Sequence, residues 1–322
     1  MDMHDGQAAA RGDADTETDL QARVAWFYYV SNLTQQEIAD RLGLTRARVN
    51  RLLAAGHQSG LLQITINSAI SSCVELERGL VAHYGLEDAV VVPTPDTEAL
   101  VRDAIGVGAG TWLAKALRDG DTIAMGWGRT LRSVIRSFPK KRLSSAAVVS
   151  LQGGLSHCSS INTFELVWQL AEKIGADRYF FAAPIYASSE GARDTILEQD
   201  AIRETYEKAV AADLALVTVG DMDESLVVSY GLAEPGQADA LKAAGAVGDM
   251  LGHFLDAGGA LVDHPMNRRT VAISLSDLRR IRRLVLVSGG VRKLAITRAA
   301  LRGGYVKVLV TDEDSAGRLL AD

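Results

Sequence analysis

The stretch Leu33 to Gly60, LTQQEIADRLGLTRARVNRLLAAGHQSG, constrains this chain more than any other. Thr34 followed by Glu37 is a capping box, in which the Thr hydroxyl accepts from a free backbone N–H and the Glu carboxylate reaches back to the Thr N–H. A helix is therefore expected from Thr34, with Ile38, Ala39 and Leu42 on its apolar face. Gly43 supplies the left-handed residue that turns the chain after Leu42. Thr45 is a second N-cap, and beyond it Ala47, Val49, Leu52 and Leu53 read as an inward stripe. Arg46, Arg48, Asn50 and Arg51 are left to face outward. Two capped helices joined by a glycine turn, the second with a basic and amide face, form a helix-turn-helix suited to the major groove. There Arg can bridge guanine O6 and N7, and Asn can bridge adenine N6 and N7. The candidate DNA contacts are Thr34, Gln35, Thr45, Arg46, Arg48, Asn50 and Arg51.

Flanking segments extend this unit. Leu20 to Val30 carries Val24, Ala25, Phe27 and Tyr28 at helical intervals, as a helix backing the pair would. Trp26 and Tyr29 fall outside that stripe and are expected to pack in the core or at its rim, with phosphate contact or packing on a neighbouring subunit as the alternatives. Leu61 to Ile66 (LLQITI) alternates and is β-rich, which predicts a wing strand. The expected DNA-binding domain spans 20–67, preceded by a polar tail, 1–19, read as disordered.

Charge supports that division. The net charge of −6 argues by itself against a nucleic-acid partner, but residues 20–60 carry five Arg against two acids, whereas residues 1–19 carry one Arg against six acids. Phosphate attraction is screened over about 10 Å at physiological salt, so a local patch can bind DNA on an acidic protein, modestly per subunit. Dimers or larger assemblies are expected for that reason.

The remaining length suffices for one large α/β domain. No run of about 18 apolar residues could span a bilayer, and the acidic start lacks the pattern of a signal peptide, so the cytoplasm is expected. Two Cys and six His at no ligand spacing predict neither a metal site nor a cofactor. Ser68 to Tyr84 has an imperfect helical pattern and reads as a linker helix (68–87). From Asp88, short Val/Ile/Leu runs alternate with amphipathic stretches, which predicts a doubly wound parallel sheet over 88–322. The expected strands are Ala89–Val92, Thr122–Met125, Ala147–Leu151, Arg178–Phe181, Leu214–Val219, Leu284–Val287 and Val306–Val310.

Several expected strand ends run into glycine: Gly126-Trp127-Gly128-Arg129-Thr130, Gln152-Gly153-Gly154, Gly220-Asp221 and Ser288-Gly289-Gly290. In an open parallel sheet the carboxyl ends of the strands line the ligand crevice, and glycine there lets backbone N–H groups approach an anion. Tight strand-to-helix turns need glycine too, so it is the repetition that points to a small anionic or polyol ligand. The run Gly106 to Gly110 sits inside a helical stretch and reads as close helix packing. Lys293 can reach a phosphate or an aldehyde, or be merely exposed; Asp249 can hold hydroxyls or merely cap. His157 and Cys158, with no third group to orient them, read as loop residues.

Taken together, the helix-turn-helix followed by GVGAGTWLAKAL, GDTIAMGWGRTL, VVSLQGG, RYFFAAPIYA, ADLALVTVGD, GAVGDMLGHFLD and VSGGVRKLAITRAALRGG resembles the SorC (sugar-binding) transcriptional regulators of bacteria. The resemblance runs from about Leu20 to the C-terminus. It implies a winged helix-turn-helix joined to a Rossmann-like effector and oligomerisation domain similar to ribose-5-phosphate isomerase and glucosamine-6-phosphate deaminase, without catalysis. It also implies dimers or tetramers on operator DNA that a sugar, sugar phosphate or polyol releases or rearranges. By motif, Gly126, Gly128, Arg129 and Thr130 match the loop that holds the ligand phosphate, Gln152, Gly153 and Gly154 the next loop, and Asn162, Asp249 and Lys293 further ligand-facing positions. Some relatives that bind phosphorylated sugars have a Thr-rich first loop and an Arg before the second Gly pair. Here the Arg is in the first loop and Gln152 in the second, which leaves an unphosphorylated polyol open. A sugar-phosphate isomerase or deaminase with a DNA-binding appendage is the alternative, with Asp249 or Asp221 as general base and Lys293 as electrophile or phosphate group.

Overall fold

In the computed structural model, which describes residues 5–31, 33–59, 61, 70–156, 161–223, 227, 232 and 236–321, the chain forms two compact units, Met1–Ile66 and Asn67–Asp322.

The smaller unit contains α1 (Asp5–Tyr29), α2 (Gln35–Leu42) and α3 (Arg46–Ser59). Both arms of the capping box form: Thr34 Oγ1 accepts from the Glu37 N–H at 3.3 Å, and Glu37 Oε2 accepts from the Thr34 N–H at 2.7 Å. The Thr34 N–H foremost, and the Thr34 hydroxyl that also donates to Glu37 Oε2 at 2.8 Å, hold the Glu37 carboxyl below its usual range. Gly43 sits at φ 66° and closes α2, and the Thr45 hydroxyl accepts from the Arg48 N–H at 3.2 Å. Val24, Ile38, Ala39, Val49, Leu52 and Leu53 form the core, with Phe27 and Tyr28 packed against it.

Three expectations change here. Ala47 is exposed, because it precedes Val49 by two residues and so points about 200° away around the helix. Trp26 lies outside the core at 62% exposure. The helix also reaches back to Asp5, through most of the segment read as a disordered tail. Low hydrophobicity there removes core packing but not helicity, which Ala8, Ala9 and Ala10 favour. The expected wing strand lies outside the described residues except for Leu61.

The larger unit opens with α4 (Ile70–Tyr84), then β1 (Asp88–Val92), α5 (Glu98–Ala116), β2 (Thr122–Met125), α6 (Arg129–Ser137), β3 (Ala147–Ser150), α7 (Thr163–Ile174) and β4 (Asp177–Tyr179). Next come α8 (Glu190–Leu197), α9 (Asp200–Val210), β5 (Leu214–Val217), β6 (Val219–Asp221), α10 (Gln237–Ala243), β7 (Gly248–Met250) and β8 (His253–Leu255). The chain ends with α11 (Pro265–Arg269), α12 (Leu275–Leu278), β9 (Leu284–Val287), a 3-10 turn (Val291–Lys293), α13 (Leu294–Arg302), β10 (Val308–Asp312) and α14 (Glu313–Leu320). Seven strands form a sheet of order β1-β10-β9-β5-β2-β3-β4, parallel throughout. Successive residues of each inner strand pack to opposite faces. Ala124, Ala215, Val217, Leu284 and Leu286 meet α4, α9, α13 and α14, while Ile123, Met125, Leu214, Leu216, Val285 and Val287 meet α5, α6 and α7. That two-sided burial is why these strands are continuous apolar runs rather than alternating ones.

The helix read as a linker is part of this unit: Leu80 of α4 is fully buried, and the Tyr84 hydroxyl donates to the Leu319 carbonyl at 2.8 Å. The run Leu214–Val219 is not one strand. It breaks at Thr218, and β6 leaves the main sheet for a second, antiparallel one of order β6-β7-β8, which the sequence pattern did not predict. Gly106 and Gly110 serve close packing of α5 on α6, since a Cβ on Gly106 would stand 2.6 Å from Ser133 Cβ.

Candidate functional site

From β2 the chain winds outward through β3 to β4, then returns to β5 on the other side of β2 and proceeds toward β1. The winding direction reverses between β2 and β5, and at such a switch point the loops beyond the strand ends part to leave a crevice. One of about 730 Å³, its open mouth included, lies there, lined from the ends of β2, β5 and β9, the start of α5 and the small sheet.

The first wall is the β2–α6 turn. Gly128, at φ 127° and ψ 163°, occupies a backbone region essentially closed to other residues and leaves the N-terminus of α6 without a side-chain cap. Free N–H groups at a helix start attract an anion. Arg129 is exposed at this lip and makes no ion pair among the described residues, Thr130 is buried beneath it, and Trp127 floors the wall. From α5, Glu98 and Arg102 also reach the crevice.

A second part of the lining is acidic around one lysine. Asp221 ends β6, and Asp249 lies in the middle of β7, paired in register with Gly220. Asp249 is buried, and this desolvation pushes its carboxyl up to about 7, against the Gly252 N–H bonded to it at 3.2 Å and the positive charge of Lys293. Lys293, in the 3-10 turn after β9, is pushed down to about 8 by burial, with Asp221 the largest opposing influence. Asp221 also faces Arg292 at 3.6 Å. Thr218 Oγ1, buried at the break between β5 and β6, has no hydrogen-bond partner among the described residues. The crevice thus offers cationic and N–H donors together with carboxyl, ammonium and hydroxyl groups, a set that can hold a small molecule with an anionic end and a polyhydroxyl end.

Of the ten ligand positions expected from sequence, Gly128, Arg129, Thr130, Asp249 and Lys293 line the crevice. The other five do not, and the contacts of Gly126, Gly153, Gly154 and Asn162 show what occupies them instead. Gly126 makes room for Leu251, whose Cδ2 would lie 2.8 Å from an added Cβ; Gly153 packs within 2.6 Å of the Ala183 and Pro184 carbonyls in the same sense. Gly154 faces the Asn162 side chain, and the Asn162 amide braces its own loop by donating to the Leu155 carbonyl at 2.8 Å. Gln152 is fully buried, its backbone paired in an antiparallel bridge with Ala272, while both polar atoms of its side chain have no hydrogen-bond partner among the described residues. Gly153, Gly154 and Asn162 shape the second loop by these contacts. His157 and Cys158 lie outside the described residues.

Glu98, Arg102 and Thr218 were not singled out from sequence. A helix start following a strand was the available signal for Glu98, and a Thr interrupting an apolar run was the one for Thr218. Asp312, at the end of β10, was also missed. Its Oδ1 accepts from the Gly290 N–H at 2.8 Å and from the Ser315 hydroxyl at 2.7 Å, fixing the turn that carries Lys293.

In the smaller unit Arg46, Arg48, Asn50 and Arg51 are all exposed on α3, with Thr34 and Thr45 exposed at the helix starts and Gln35 half-buried. If Arg48 and Asn50 read bases, Arg48→Ala and Asn50→Ala will each lose about 1–3 kcal/mol of discrimination between a preferred and a scrambled duplex, measured by fluorescence anisotropy. Equal weakening on both duplexes would reduce them to phosphate contacts.

Comparison with known proteins places these features in context. The family described as "Putative sugar-binding domain" matches residues 68–321. Over 310 residues, 95% of this chain and 98% of the relative, the sequence is 32% identical to the erythritol catabolism regulatory protein EryD of Brucella abortus. Over 326 residues, 99% of each chain, it is 33% identical to the transcriptional regulator LsrR of Escherichia coli K12. Among solved structures, the full-length sorbitol operon regulator SorC from Klebsiella pneumoniae superposes with a TM-score of 0.74 at 29% identity, over 94% of this chain and 98% of that one.

Proposed function

The chain belongs to the SorC family of sugar-binding transcriptional regulators, and from that premise we propose that it binds operator DNA through α3 and is switched by a phosphorylated sugar or polyol in the crevice. Residues 20–67 serve as the DNA-binding domain and the larger unit as the effector and oligomerisation domain. One observation carries the effector class: Arg129 and the uncapped start of α6 line the same crevice as Asp221, Asp249 and Lys293. The phosphate lies on the Gly128–Thr130 turn, where Arg129 can form a charge-assisted pair, and the hydroxyls meet Asp249 and Lys293. Gly126, Gln152, Gly153, Gly154 and Asn162 hold the loops in shape.

A ligand changes DNA affinity only by binding one arrangement of the subunits better than another; a tenfold change requires about 1.4 kcal/mol of differential affinity. Arg129→Ala is expected to abolish ligand-induced release from DNA while leaving ligand-free DNA binding near wild type, as read by anisotropy titration with a panel of sugar and polyol phosphates. Unchanged release would remove Arg129 from the site, and equal responses to phosphorylated and plain polyols would remove the phosphate.

The protein acts as a regulator in the cytoplasm, and the ligand leaves it unchanged. Recovery of an isomerised or deaminated product after long incubation would restore the enzymatic alternative. Because the basic patch of one subunit is small, DNA binding uses a dimer or tetramer, which sedimentation of the full chain would reveal. No helix among the described residues is long and apolar enough to cross a membrane.

A further inference from the structure

We infer that Glu17 of α1 is a specificity-determining residue for DNA recognition, acting through its ion pair with Arg48. Both Glu17 carboxylate oxygens approach a single nitrogen of Arg48, Nη2, at 3.2 and 3.4 Å. Nη1 and Nε make no hydrogen bond or ion pair among the described residues. Arg48 is the third residue of α3, its N–H held by the Thr45 hydroxyl, and so stands in the first turn, the part of a recognition helix that approaches base edges.

The pair weighs differently on two kinds of DNA. On a random duplex the partner open to Arg48 is a backbone phosphate. Swinging toward one breaks the contact with Glu17 and leaves that carboxylate beside a polyanion, at the end of a 19-residue stretch that already carries six acids against one base. On a duplex that presents guanine at the right step, Nη1 and the second Nη2 proton can meet O6 and N7 while Glu17 keeps its hold. A cost placed on the unwanted mode of binding is as effective for specificity as a gain on the wanted one. Glu17 is therefore a positioning residue, and its effect must pass through Arg48. The inference rests on the proposed base-reading role of α3.

The test uses the full-length protein, a duplex selected by the wild type from a random-sequence pool, and a scrambled duplex of the same length and composition. Glu17 and Arg48 are both about half exposed, so Glu17→Gln keeps the shape and removes the charge without disturbing the core. On the scrambled duplex it is expected to bind about two- to fivefold tighter, with a salt dependence steeper by about one phosphate contact. On the selected duplex the change should be smaller than twofold, so discrimination falls. In an Arg48→Ala background, Glu17→Gln should have no effect on discrimination, a dependence that general electrostatic relief would not show. Equal tightening on both duplexes, no tightening on either, or an effect that survives in the Arg48→Ala background overturns the inference alone, provided that Arg48→Ala by itself lowers discrimination. If Arg48→Ala leaves discrimination intact, the base-reading role fails and this inference fails with it.

Discussion

Gly248→Ala should cost the larger unit about 3 kcal/mol or more in urea unfolding and abolish ligand response in whatever fraction still folds. A Cβ at this position would stand 2.3 Å from the Gly220 carbonyl oxygen and 2.6 Å from Ile296 Cβ. The first contact is backbone on the neighbouring strand, and the second is the stiff branch point of a fully buried side chain. Neither can withdraw without moving its element. The relief available is to part β6 from β7, and Asp249, the next residue, would then leave the crevice wall. Gly191 supplies the control. It lies in α8 with nothing within 4 Å of a Cβ, so Gly191→Ala should be neutral or stabilising by up to about 1 kcal/mol. Comparable losses in the two variants would mean that the contact with Gly220 is not tight.

The second large effect concerns pH. A folded-state value of about 7 for Asp249, raised from 3.8 by burial, means that between roughly pH 4 and 7 the folded protein holds a proton that the unfolded chain has released. Its favourable contribution is full below pH 4 and is lost as pH rises through 7. Lys293 has the opposite sense. Lowered from 10.5 to about 8, it contributes fully above 10.5 and loses that contribution as pH falls through 8. The two together make the larger unit least favoured between pH 7 and 8, where both groups are charged inside the protein. Asp249→Asn removes the acid limb alone. The stability difference between wild type and this variant should shift by about 2–3 kcal/mol between pH 5 and 7.5, with the wild type gaining on the acid side. Titrating groups remote from Asp249 are common to both proteins and cancel, while Lys293, coupled to Asp249, titrates somewhat lower in the variant. A difference independent of pH, measured by urea unfolding at the two values, would mean that Asp249 stays ionised throughout.

The main sheet was legible because its strands are buried on both faces: Thr122–Met125 and Leu284–Val287 emerge with the boundaries that their apolar runs predicted. The capping box, the glycine turn and the second cap fixed α2 and α3 equally well, since each is a local hydrogen-bond requirement written in adjacent residues. The small sheet was hidden for a physical reason. Its strands are three residues long, and the β7–β8 turn places Leu251 at φ 56°, where Asn or Asp would have announced a hairpin. Leu251 tolerates that conformation in a setting where its side chain fills the space left by Gly126. The second-loop glycines do not line the crevice, and the sequence could not say so, because glycine admitted by neighbouring backbone and glycine admitted by a ligand look alike there. Glu98 and Arg102 reach the crevice through the packing of α5 beside the strand ends, which no spacing along the chain encodes.

The order of strands in the main sheet bears on how the protein is made. β1, the first strand of the main sheet to be translated, pairs with β10, its last, in register from Asp88–Val308 to Val92–Asp312. More than 200 residues must leave the ribosome before that pairing can close, and until then Val90 and Val91 of β1 belong to a strand without its neighbour. Contacts so distant in sequence form late, and an unpaired apolar strand is where misassociation begins. The crevice has the same dependence, since its lining comes from Glu98, early in the larger unit, and from Lys293, near its end. A nascent chain is therefore blind to its ligand, and only a finished one can respond.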